Sequence, residues 1–82
     1  MDEQSAEVEG HLSKADHLIA RGKDGRALAQ LWIAEAQARG NSDAIREVLA
    51  AAAALEKHVS SKQRAELDEL VEVLHRDMHS LR

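Results

Sequence analysis

The chain has 82 residues, no cysteine, no proline and a single aromatic side chain, Trp32. Without cysteine there is no disulfide framework, no cysteine-ligated zinc or iron–sulfur centre and no thiol nucleophile. The 11 basic and 15 acidic side chains leave a net charge of −4, the wrong sign for a chain built around a nucleic-acid backbone.

No apolar stretch approaches the roughly 18 residues that a membrane span needs. The opening Met1-Asp2-Glu3-Gln4 is acidic, unlike the basic start of a signal peptide. A cytoplasmic location and a single domain over residues 1–82 are the expectation. A domain this small buries only about 60% of its unfolded surface, so it depends on dense packing or on a second subunit. The 15 Ala and 10 Leu, with abundant Glu, Lys and Arg, predict an all-α chain.

Three clusters of breakers divide it: Gly22-Lys23-Asp24-Gly25, Gly40-Asn41-Ser42-Asp43 and Ser60-Ser61. The first predicted helix runs from about Ser5 to Arg21. Val8, Leu12, Ala15 and Ile19, with Leu18 beside them, recur at helical spacing on one face. Gly10 weakens this helix by about 1 kcal/mol relative to Ala. Gly22 is placed to end it, because glycine enters the left-handed region without a Cβ clash.

The second helix is predicted from about Gly25 to Arg39, with Asp24 as its cap. Ala27, Leu28, Leu31, Ala34 and Ala38 form one apolar face. Ala29, Trp32, Ile33 and Ala36 form another, with Gln30, Glu35 and Gln37 separating the two. A helix apolar on two sides is buried on most of its circumference or carries a contact surface.

The third helix is predicted from about Asp43 to Val59, capped by Ser42 or Asn41. Ile45, Val48, Ala52, Leu55 and Val59 make its stripe, widened by Leu49. Small residues from Ala50 to Ala54 let other backbones come close. The fourth is predicted from about Lys62 to Ser80, with Ser60 and Gln63 spaced as a capping box. Its stripe is Leu67, Leu70, Leu74, Met78 or Asp77, and Leu81, with Val71 beside it and Val73 off it.

Connections of two to four residues favour antiparallel neighbours. The expected fold is therefore four helices as two antiparallel hairpins, either closed into a bundle or stacked as an open array. Ala15, Leu18, Gly22, Ala27, Leu31 and Ala34 fall near the small–large–small positions of a helical repeat. On these positions the segment from about residue 11 to 38 resembles a tetratricopeptide hairpin. Trp32 sits away from that family's tryptophan, and its closing proline is lacking. The resemblance implies a stacked array that binds peptides or proteins on a concave surface.

Candidate chemistry is sparse. His75 and His79 are spaced i, i+4, and Glu72 precedes His75 by three residues. A di-metal bundle needs a second Glu-x-x-His motif, which is absent, so no metal or other cofactor is expected. Glu7 with His11, and Asp16 with His17, are acid–histidine neighbours without a nucleophile. An enzyme is not expected.

Two surfaces remain. If the first face of the second helix meets the first and third helices, the second face is covered either by the fourth helix or by another subunit. Ala29, Trp32, Ile33, Ala36 and Val73 are the candidate partner interface, with a protein partner and a homodimer expected. In a hairpin pair, the first and third turns lie at one end. That end gathers Arg21, Lys23, Arg26, Lys57, Lys62 and Arg64 against Asp24, Glu56 and Glu66, with His58 nearby. This net positive end is a candidate site for an anionic ligand or a nucleic acid, the latter disfavoured by the chain's overall charge.

Overall fold

The structure, a computed structural model, describes residues 3–81, with side chains from residue 6 onward. Met1 and Asp2 of the acidic opening and the final Arg82 lie outside the described residues. The chain is all-α. Helix α1 spans Glu3–Ala20, α2 Asp24–Ala38, α3 Ser42–Glu56 and α4 Ser61–His79.

The turns follow local chemistry. Gly22 adopts φ 73°, and its N–H donates to the Ile19 carbonyl at 3.0 Å while Lys23 N–H reaches the Leu18 carbonyl at 2.8 Å. This pair of bonds satisfies the last carbonyls of α1 and reverses the chain. Gly40 closes α2 in the same backbone region, at φ 85°. Asn41 caps α3, its side chain accepting from Ala44 N–H at 3.1 Å.

Three expectations about helix ends are corrected. Asp24 is the first helical residue of α2 rather than its cap. Lys23 takes the cap position without a side-chain hydrogen bond. Ser60 stands at the cap of α4, but no capping box forms. Gln63 instead lies across the seam over Gly25, its Nε2 2.8 Å from where a Cβ would sit. The missing side chain at Gly25 is what lets that amide in. Helix α3 stops at Glu56, three residues short of Val59, because the chain tightens so that His58 N–H and Val59 N–H both donate to the Leu55 carbonyl.

The four helices make two hairpins, α1–α2 and α3–α4, packed side by side. Helix α2 touches all three others, as does α3, but among the described residues α1 and α4 do not meet. A closed four-helix ring needs that fourth contact. The arrangement is therefore an open zigzag of two layers, α1 with α3 and α2 with α4, with extents of 33 × 24 × 15 Å.

The core lies between the layers. Leu28, Leu31, Ile45, Leu55, Leu67, Leu70 and Leu74 are fully buried there with Val8 and Val48. Ala15, Ala27, Ala34, Ala38, Ala44 and Ala52 fill the close approaches, where short side chains shorten the distance between helix axes. The α1 stripe is shallower, with Leu12, Leu18 and Ile19 only partly buried against this cluster. Leu81, expected on the α4 stripe, is 41% exposed. The helix has already ended at His79, so the i, i+3 spacing no longer turns Leu81 inward.

Candidate functional site

The two-layer stack leaves the outer side of α2 without a neighbour. Its buried arc holds Ala27, Leu28, Leu31, Ala34, Glu35 and Ala38. Opposite this arc, Ala29 and Ala36 are exposed and Ile33 is 42% exposed. Trp32, at the edge toward α4, is half-buried against the core. The four side chains form a continuous strip, because positions three and four apart on a helix are surface neighbours. No charged group interrupts it.

Two contacts fix the register of α4 beside α2. Gln63 lies over Gly25, and Asp77 meets Glu35. The two helices thus run parallel, offset by about 40 residues in sequence. That offset brings Val73, half-buried on α4, level along the helix axis with Trp32 and Ala36. Of the candidate interface residues, Ala29, Ile33 and Ala36 are exposed, while Trp32 and Val73 are half-buried.

The same register carries the first and third turns to one end. Arg21, Lys23, Arg26, Lys57, Lys62 and Arg64 are all exposed there. Arg64 pairs with Glu56 at 3.6 Å. The N-termini of α2 and α4 open at this end, neither with a side-chain cap. Their unpaired N–H groups add partial positive charge to that of the side chains.

Sequence reading missed the polar cluster at the opposite end of the α2–α4 seam. Glu35, expected on a polar margin, is 1% exposed. Arg39, one turn on, donates from Nε to Oε1 at 3.0 Å and from Nη2 to Oε2 at 3.2 Å. The Asp77 carboxyl of α4 faces Glu35 from the other helix, and its Oδ2 is buried without a hydrogen-bond partner. Burial works against the Glu35 charge, but the hydrogen bonds from Arg39 and Asp77 hold its carboxyl below the ordinary value. Burial, then the hydrogen bond and charge of Glu35, push Asp77 up to about 6, with Arg39 pulling the other way. One signal was in the sequence: Asp77 competes with Met78 for a stripe position, and Glu35 lies between two apolar faces.

The histidines are dispersed. His75 and His79 are exposed, and Glu72 is engaged by Arg76 at 3.0 Å. Among the described residues no group of three or more His, Asp or Glu is arranged to hold a metal ion. His11 does not pair with Glu7. Its Nδ1 meets Gln30 Oε1 at 2.8 Å and ties α1 to α2. Beyond it lies an open groove of about 380 Å³ lined by Ser13, Lys14, His17, Leu18 and Gln30. No helix among the described residues is long and apolar enough to cross a membrane. No known protein family, curated protein or solved structure matches this chain.

Proposed function

We propose that this chain is a small non-enzymatic interaction module that pairs with a second copy of itself through the outer side of α2. The observation that carries the reading is the uncharged strip of Ala29, Trp32, Ile33 and Ala36, with Ile33 42% exposed at its centre. Exposed apolar strips mark association sites, and Trp is enriched at their energetic centres. Ala29 and Ala36 add little bulk, so a facing helix can approach while Trp32 and Ile33 fill the contact.

Size favours a second copy as occupant. The whole molecule measures 33 × 24 × 15 Å, and a domain this small gains much from a subunit contact. A two-fold axis through one strip buries both copies of it at once, the commonest form of self-association. Open stacking of hairpins is also the arrangement that the tetratricopeptide resemblance implies. The test is sedimentation velocity over a concentration series. The unmodified chain should form dimers that Trp32→Ala or Ile33→Glu dissociates at equal concentration. A folded monomer up to high micromolar concentration would remove the reading.

A second reading is favoured by the two uncapped helix N-termini among six exposed cations: a regulatory module that binds an anionic ligand or nucleic acid at the basic end. Its mark is an affinity for phosphate-bearing polymer that falls with salt. Reversing Lys23, Arg26, Lys62 and Arg64 to Glu should abolish that binding. Affinity indifferent to both salt and reversal would exclude it.

A further inference from the structure

We propose that Glu35 and Asp77 share one proton across the seam between α2 and α4, and that this proton latches the two hairpins together in mildly acidic solution. Glu35 is 1% exposed, and both of its oxygens already accept from Arg39. Asp77 approaches from the other hairpin, and its Oδ2 is shielded from solvent with no hydrogen-bond donor reaching it.

Two ionised carboxylates in that position would present acceptor to acceptor with like charge. One proton turns the same contact into a short charge-assisted O–H···O bond. The Arg39 fork holds the negative charge on Glu35, so the proton resides on Asp77, which donates.

From α2, Arg39 is the charged group acting on both carboxyls. The buried side of α3 presents Ala44, Ile45, Val48, Ala52 and Leu55, while its Asp43, Arg46 and Glu47 are exposed. On α4, Arg76 is bound to Glu72, and Ser80 Oγ donates to the Asp77 backbone carbonyl rather than to its carboxyl. Helix α1 does not reach α4.

The direction of the pH effect follows from linkage. Asp77 titrates at about 6 in the folded chain, above its ordinary 3.8. Its proton stabilises the fold fully below 3.8, and that contribution is lost as pH rises through about 6. Glu35, held below its ordinary 4.5, contributes stability that is present above 4.5 and lost as pH falls. The two effects together put the strongest α2–α4 seam in the window between. For Asp77 alone, the folding constant at pH 5 exceeds that at pH 7.5 by about tenfold.

The latch is tested on the full chain in two ways. A carbon-detected carboxyl titration by NMR should give Asp77 a midpoint near 6. Between pH 5 and pH 7.5, urea unfolding should show the folding constant of the unmodified chain falling about tenfold relative to that of Asp77→Asn, whose amide still donates to Glu35 but does not titrate. An Asp77 midpoint near 3.8 would overturn the latch, as would equal pH dependence in both proteins. Should Asp77→Asn fail to fold, the titration of the unmodified chain decides alone.

Discussion

Ile33→Ala isolates the proposed contact from the fold. Ile33 is 42% exposed in the isolated chain, and full burial of such a side chain is worth about 1.5–3 kcal/mol. Covering what remains exposed is therefore worth about 1 kcal/mol in each copy. A two-fold interface contains the residue twice, so removing it costs about 2 kcal/mol, or about 30-fold in the dimer Kd. The alanine methyl restores a fraction of that, which sets the expected weakening at about 10- to 30-fold.

The monomer should not suffer, because Ala exceeds Ile in helix propensity by about 0.4 kcal/mol. Ile33→Glu should go further, since it brings two carboxylates into a desolvated contact. Sedimentation equilibrium at several loading concentrations gives the Kd, and circular dichroism checks that helix content is kept. A dimer whose Kd moves by less than twofold in both variants would refute the assignment of this strip. Loss of helix content in Ile33→Ala would refute the claim that Ile33 contributes to contact rather than to the core.

Two further predictions probe the scaffold by thermal and urea unfolding. Gly10→Ala should stabilise by about 1 kcal/mol, because Gly10 is helical, exposed and has nothing within 4 Å of the added methyl. Gly40→Ala should instead destabilise by about 1 kcal/mol. Its surroundings are equally open, but its φ is 85°, and equal effects at the two glycines would contradict this backbone account. Leu31→Ala removes a fully buried side chain from α2, one of the two helices that touch all three others. A loss of about 2–5 kcal/mol is expected, enough to leave so small a domain largely unfolded. A loss below about 1 kcal/mol would mean that α2 is not central.

The helices themselves were legible in the sequence, since their causes are local. Gly22 and Gly40 end α1 and α2 because a left-handed residue is needed there. Val8, Leu31, Val48 and Leu70 are buried because 3.6-residue periodicity puts them on one side whatever the partner. The second apolar face of α2 was also visible as a pattern.

Only the tertiary structure decided what lies against each face. Whether the hairpins close or stack turns on whether α1 meets α4, a contact between segments that share no local signal. Glu35 shows the same limit. Its position between two apolar faces is a matter of spacing, but its burial and its partner come from where α4 sets Asp77. Gln63 followed the gap over Gly25 rather than the backbone three residues behind it, for the same reason: a side chain bonds with whatever the packing brings within reach, and sequence distance does not measure that reach.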